Sequence, residues 1–370
     1  MKEPTFRTAP APDSFEPAGP ANFRPVNFAS DNVTGVAPEI MEAIAEANAP
    51  QGAWPYGNDD VTGGLNGRFS ELFDTEARVY PVATGTAANA LCLSLIAQPF
   101  NTVYCLKHGH TYEDEGGAPE FYTNGAKLVP VPAADGKMTA AALEAAIVDV
   151  GGGGARLPHV MEAAAVSIAQ VNECGTVYSV DEIRDICAVA RANGLFVHLD
   201  GARFANAVAA LGCEPADMTW RAGIDLMSFG ATKNGAMAAE AVVLFNDDLE
   251  DTLSQRRMRG GHLFSKMRFL SAQLARYIQD GLWLQLAANA NAMAERLSAG
   301  LAEIDDVTID YPVDANMIFA RIPGDTAERL RDSGFEFYDW GDPDRPNIRL
   351  VCAFNTEADD VDRFVEAARR

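Results

Sequence analysis

The sequence predicts an α/β protein, with a large domain built on a mainly parallel sheet and a smaller C-terminal α+β domain. Three observations carry that expectation. Short apolar and β-branched runs alternate with helical stretches of ten or more residues, as the crossovers between parallel strands require. After about Asp247 the pattern changes to long helices and a few short strands. The 370 residues, 48% of them hydrophobic and 22% charged, suffice for roughly two to three domains and need no disulfide or metal as a staple.

Residues 1–26 hold six prolines and little periodicity, and read as an extended or disordered arm. Pro38–Asn48, Phe69–Glu76 and the Ala- and Leu-rich Ala87–Ala97 read as helices. Thr102–Cys105 and Leu128–Val131 are β-branched runs bounded by Asn, Gly and Pro, the mark of strands. Thr139–Val148 is a helix, followed by a flexible Gly151–Gly154 connector that no Gly-Lys-Ser/Thr continues into a phosphate loop. Ala163–Val171 reads as a buried strand, and Val180–Asn193 as an amphipathic helix stopped by Gly194. Leu195–Asp200, Asp225–Phe229 and Ala241–Phe245 are further apolar strands. The C-terminal part offers helices Ser265–Ile278 and Leu282–Leu301, strands Met317–Arg321 and Ile348–Phe354, and an amphipathic helix Glu357–Arg370. The expected division is an arm, 1–26, a large α/β domain, 27–260, and a small domain, 261–370.

Twenty-nine Lys and Arg face 52 Asp and Glu, a net charge of −23 with a pI near 4.5. Such a chain repels phosphate backbones and anionic lipid heads, so no nucleic-acid or membrane partner is expected. No apolar run approaches the ~18 residues of a membrane span, and no basic-then-apolar leader opens the chain. Six cysteines without a C-x-x-C pair point to reduced thiols and a cytoplasmic location rather than a zinc cluster.

Six lysines and five histidines make the list of catalytic candidates short. In Leu195–Arg203 an apolar strand ends in Asp200 and turns at Gly201. Ligands of open α/β sheets sit at that strand edge, and a buried carboxylate there needs a cationic partner. The alternative is an Asp200–Arg203 pair that only fixes the turn. In Ser228–Gly235 a single lysine, Lys233, follows a buried strand among small residues. A lysine in a dry site loses its proton readily and forms Schiff bases; the alternative is a loop lysine pointing into solvent. In Ala83–Asn89 a glycine turn opens a strong helix, whose free N–H groups and dipole suit a phosphate, although Gly-Thr before a helix also serves as a plain cap. Together the three stretches meet the needs of pyridoxal 5'-phosphate: a phosphate cradle, an acid for the pyridine nitrogen and a Schiff-base lysine. No Gly-x-Gly-x-x-Gly supports a nicotinamide. His108 and His110 have the spacing of a metal pair without a third ligand, so no metal is expected. His198 reads as a core histidine.

The sequence resembles the L-threonine aldolases of the fold-type-I pyridoxal-phosphate enzymes, and in particular their low-specificity and phenylserine aldolase branch. The motifs are Phe28-Ala-Ser-Asp-Asn32, Tyr56-Gly-Asn-Asp59, Thr84-Gly-Thr-Ala-Ala-Asn89, His110 ahead of Asp114-Glu-Gly-Gly117, His198-Leu-Asp-Gly-Ala-Arg203, Gly230-Ala-Thr-Lys-Asn-Gly235, Gly260-Gly-His-Leu-Phe-Ser-Lys-Met-Arg268 and Ile348-Arg-Leu350. They run from about Asn27 to the C-terminus. The resemblance implies that Lys233 forms the Schiff base, Asp200 pairs with the ring nitrogen and His110 stacks on the ring. It implies that Gly85 and Thr86 hold the phosphate, and that Ser30, Arg203 and Arg349 grip the substrate carboxylate. Lys266 stands where many relatives carry an Arg that reaches the phosphate from a neighbouring subunit, and Tyr56 likewise crosses an interface. This implies a homo-oligomer with shared active sites, at least a dimer and, as in relatives, a tetramer. One departure concerns the turn Gln170–Gly175, where many relatives have a His and this chain has Glu173. The base for the substrate's β-hydroxyl is then Glu173, His110 or a bound water, and Glu173 as a cap or salt-bridge residue is the alternative.

The implied activity is retro-aldol cleavage of L-threonine, L-allo-threonine or phenylserine to glycine and an aldehyde, the work of a carbon–carbon lyase on a small amino acid. The rivals are a β-eliminating lyase, an aminotransferase or a racemase with the same cofactor, and a catalytically silent scaffold of the same fold.

Overall fold

The computed structural model describes residues 25–49, 52–150, 158–341 and 347–370; most of the arm and the Gly151–Gly154 connector lie outside them. Its strands are β1 (Val26–Asn27), β2 (Arg78–Val82), β3 (Asn101–Leu106), β4 (Lys127–Val131), β5 (Glu162–Ala169), β6 (Phe196–Gly201), β7 (Leu226–Gly230), β8 (Glu240–Leu244), β9 (Thr308–Ile309), β10 (Met317–Arg321), β11 (Phe335–Glu336), β12 (Tyr338–Trp340) and β13 (Asn347–Val351). Seven form one sheet in the order β2-β8-β7-β6-β5-β3-β4, in which β8 alone runs against the rest. A second, antiparallel sheet has the order β12-β13-β10-β9. The architecture is the predicted one, and its parallel strands deliver β5, β6 and β7 with their carboxyl ends side by side.

Most predicted elements stand within a few residues of their expected bounds. The helix after β2 is Gly85–Ile96, capped where the Thr84 side chain accepts the Ala87 N–H at 3.2 Å. Ser179 and Glu182 form a reciprocal capping box at the start of Val180–Ala192. Three expectations are corrected. The helix predicted over Phe69–Glu76 is Leu65–Phe73, because Asp74 takes a left-handed conformation (φ 51°) and ends it. The strand β2 that follows was not predicted; its Pro81 lacks an amide donor, and the strand lies at the edge of the sheet, paired with β8 alone. The strand predicted over Ala163–Val171 stops at Ala169. There the Gln170 side chain leaves the ladder and bonds both backbone groups of Tyr178, at 2.8 and 3.0 Å.

Val26, assigned to the arm from sequence, pairs with Phe335 in β11. Val26 and Phe28 pack in a hydrophobic cluster with Leu297, Leu330, Leu350 and Phe364. The main core lies between the large sheet and its helices, where Phe69, Phe73, Phe204, Phe229, Tyr277 and Trp283 form an aromatic group, Phe69 and Phe229 with ring centres 5.0 Å apart. We propose the two units the sequence divides at Gly260, joined by the helices Arg268–Ile278 and Leu282–Ala302: Leu274, Tyr277 and Trp283 pack on the main core, whereas Ala294, Leu297 and Leu301 pack on the second. No helix among the described residues is long and apolar enough to cross a membrane.

Candidate active site

Asp200 lies at the carboxyl end of β6 and Lys233 three residues beyond β7, in the short turn Thr232–Asn234. The two loops lie close because both strand ends carry glycine. A Cβ on Gly201 would meet the Ser228 carbonyl oxygen at 2.4 Å, and one on Gly230 the Ala202 oxygen at 2.6 Å. The lysine turn is anchored from below, where Asn234 Nδ2 donates to the Tyr277 hydroxyl at 2.7 Å and the Trp283 carbonyl at 2.9 Å.

The Asp200 carboxylate is buried and aimed. It accepts the Ala202 N–H at 3.0 Å and Asn89 Nδ2 at 2.8 Å; the other Asn89 Nδ2 hydrogen goes to Glu115 at 2.8 Å. That Glu115 oxygen also takes His110 Nδ1 at 2.8 Å, and His110 Nε2 has no hydrogen-bond partner among the described residues. Donor atoms of His110, Glu115 and Asp200 thus lie within 4.8 Å of one another. Burial alone pushes the Asp200 carboxyl up, but the positive fields of His110 and Lys233 bring it below its ordinary value, so it stays ionised. His198, one strand pleat below, is held neutral by burial, down at about 4, and its Nδ1 bonds Ser167 Oγ at 2.9 Å, as a core histidine should. The hydrogen bond to Glu115 raises the His110 imidazole. Burial, and then the Arg203 charge, lower the Lys233 amine, which favours the nucleophilic neutral form.

Glu173 leans on the same group, its Oε1 accepting the His110 backbone N–H at 2.7 Å. Burial, with Asp200 nearby, pushes its carboxyl up to about 7. Above Asp200, at the first turn of the helix Gly85–Ile96, the N–H groups of Gly85 and Thr86 have no partner among the described residues, and a Cβ added to Gly85 would meet nothing within 4 Å. An open helix N-terminus is a ready anion cradle.

The substrate-binding trio is placed less simply than the resemblance implies. Arg203 is buried with Nε and Nη2 committed to Asp31 at 2.6 and 3.0 Å, and Asn316 steadies the same carboxylate at 3.2 Å. The two-pronged edge of Arg203 is therefore in use, leaving Nη1. Arg349, in β13, faces no carboxylate at ion-pair distance among the described residues. Its guanidinium lies over the Trp340 ring at 5.6 Å, and burial and the Arg203 charge lower it to about 10. Ser30 Oγ accepts the Asn32 N–H at 3.1 Å and keeps its own proton to donate. Asp31→Ala is expected to cost about 3–5 kcal/mol of stability, because it strands the Arg203 charge in the interior. A lowered urea midpoint at unchanged slope is the measurement.

Tyr56 and Lys266 are exposed and share one surface, joined by the Tyr56 N–H to the Ser265 carbonyl at 3.0 Å. No hydrogen bond or ion pair among the described residues links either to the Asp200–Lys233 group. Asn89, Glu115, Asp31 and Asn316 received no role from sequence. Asp31, Asn89 and Glu115 lie inside the quoted motifs, which gave them no individual role, and Asn316 lies in none of them.

The beta-eliminating lyase family profile matches residues 27–323. The low specificity L-threonine aldolase of Pseudomonas sp. (strain NCIMB 10558) is 40% identical over 333 residues, 89% of this chain and 93% of that protein. The chain belongs to the low-specificity L-threonine aldolases of that family. Its relative in Pseudomonas aeruginosa, of the same name, is 39% identical over 92% of this chain and 96% of its own length. The solved structure of Leishmania major threonine aldolase superposes with a TM-score of 0.87 at 30% identity, covering 94% of this chain and 99% of that one. The fold is that of the fold-type-I enzymes, and pyridoxal 5'-phosphate is the cofactor. The residues present fit it: open N–H groups for the phosphate, an ionised carboxylate for a protonated ring nitrogen, and an amine held low.

Proposed function

We propose that this site cleaves the Cα–Cβ bond of L-β-hydroxy-α-amino acids such as L-threonine, L-allo-threonine and phenylserine, releasing glycine and an aldehyde. The observation that carries the reading is the joining of Asp200 and Lys233 at one strand edge with Glu173, a carboxyl poised near neutral pH. Gly85 and Thr86 would hold the cofactor's phosphate, His110 its ring face, Asp200 its nitrogen and Lys233 its aldehyde carbon. Bound there, pyridoxal 5'-phosphate supplies an electron sink for the pair released at Cα.

Arg349 and Ser30 hold the substrate carboxylate, with Nη1 of Arg203 as a further donor. This hold sets the bond to be broken against the cofactor plane. Glu173 takes the β-hydroxyl proton, within a hydrogen-bond network that also fixes His110. Once the aldehyde has left, a carboxyl near its own pKa can give that proton to Cα, where the pair from the broken bond remains, and so complete glycine without a large change in free energy.

Incubation of the purified protein with threonine or phenylserine should yield equal amounts of aldehyde and glycine. A keto acid with ammonia as the main product would identify a β-eliminating lyase instead, and amino transfer to an added keto acid an aminotransferase. No turnover at all would mark a silent scaffold.

We place the working form as a homodimer or larger, in the reducing cytoplasm. Trp54, Tyr56, Met258 and Phe264 are exposed near Lys266 in sequence or contact, and the free thiols need no oxidising compartment. Lys266→Ala should then weaken cofactor affinity, read by titrating the cofactor-stripped protein, although among the described residues no hydrogen bond or ion pair ties Lys266 to its own chain's site.

A further inference from the structure

A second buried carboxylate lies beside the lysine turn, and the mechanism above does not use it. Glu240 is the first residue of β8, in register with Val82 of β2 on one side and Gly230 of β7 on the other. It therefore stands between the strand that leads to the Gly85–Thr86 cradle and the strand that leads to Lys233. It is only 6% exposed. Its Oε1 accepts the Thr232 N–H at 3.3 Å, and the neighbouring Ala239 N–H donates to Thr232 Oγ1 at 3.1 Å, so carboxyl and lysine turn are bound to each other.

We propose that Glu240 is a positioning residue for Lys233, whose carboxyl sets the proton affinity of the nitrogen at that position. No arginine or lysine pairs with Glu240 at ion-pair distance among the described residues, unlike Asp31, whose partner is Arg203. Burial pushes the Glu240 carboxyl up to about 7, against the pull of the Thr232 hydrogen bonds and Lys233. The other charged or titratable groups facing Lys233 are Arg203, Asp31, Asp200 and His110; those facing Glu240 are Lys233 and Asp200, with the Tyr277 hydroxyl in reach of its field. An ionised Glu240 holds a proton on the nitrogen of Lys233, and an uncharged one lets it go more readily.

The inference rests on Lys233 being the residue joined to the cofactor, and the test separates the two. In the cofactor-loaded protein, the absorbance band of the bound cofactor is followed against pH in wild type, Glu240→Gln, Glu240→Asp and Lys233→Ala. Glutamine keeps an oxygen for the Thr232 N–H and removes the charge, so a purely structural role would leave the midpoint in place. The expected result is a fall of about one pH unit in Glu240→Gln, since a nitrogen without that anion nearby gives up its proton sooner. Glu240→Asp, with the charge drawn back by one methylene, should move the midpoint the same way by less. A band that titrates in wild type, is lost in Lys233→Ala and keeps its midpoint in Glu240→Gln overturns the proposal and leaves Lys233 standing. Should Glu240→Gln not fold, an unmoved midpoint in Glu240→Asp overturns it equally. A wild-type band that persists unchanged in Lys233→Ala removes the premise instead.

Discussion

Lys233→Ala is expected to lower kcat by about three orders of magnitude or more, the scale seen when a covalent group is deleted from a catalytic unit. Borohydride treatment, which fixes the cofactor to the wild-type chain, should then leave the variant unlabelled. The fold offers little room for an indirect explanation. The turn is pinned through the side chain of Asn234 to Tyr277 and Trp283, and Lys233 itself makes no hydrogen bond among the described residues that the turn depends on. Alanine therefore removes the amine and leaves the scaffold. Thermal unfolding at the wild-type temperature, together with the loss of turnover, is the combined signature. A variant that keeps a tenth of the wild-type rate would place the chemistry elsewhere.

The second large effect is expected at Glu173. Glu173→Gln keeps an oxygen to accept the His110 N–H but cannot take a proton, and kcat/KM should fall about 10²–10⁴-fold, the usual worth of a positioned general base. The pH profile carries the sign. A base must be ionised to act, so wild-type kcat/KM should rise as pH passes through about 7. A protonated ring nitrogen beside Asp200 offsets part of the negative field that raises Glu173, which moves that limb to slightly lower pH. In Glu173→Gln the limb should vanish along with the rate. A limb that survives the substitution assigns the proton to His110, whose imidazole Glu115 raises, or to a water.

Much of this site was legible along the chain because the parallel sheet fixes where functional groups can emerge. An apolar strand ending in a carboxylate, followed by Gly201, placed Asp200 at the ligand edge, and the small residues around Lys233 placed it at the next strand end. Two features of the sheet were missed. The strand β2, which tolerates Pro81 at the sheet edge, received no expectation, and Glu240 escaped because β8 runs against its neighbours. In a parallel strand its first residue would lie at the far edge of the sheet; in β8 that residue lies beside Lys233. Arg203 shows the opposite failure, since motif position alone offered its fork to the substrate while Asp31, 172 positions away, already held it.

What the amino-acid order determined unaided was the fold class, the cofactor chemistry and the short list of residues proposed to bear it, because strand periodicity, punctuating glycines and local motifs are properties of neighbours in the chain. Only the tertiary structure decided how those residues are charged and which of their atoms are free. Asn89 bridging Asp200 to Glu115, Glu173 held beneath His110, and the pairing of Arg203 with Asp31 all join groups far apart in sequence. Proton affinity in a buried site depends on the fields of such distant partners and on the water they exclude. Neither quantity exists until the chain has folded.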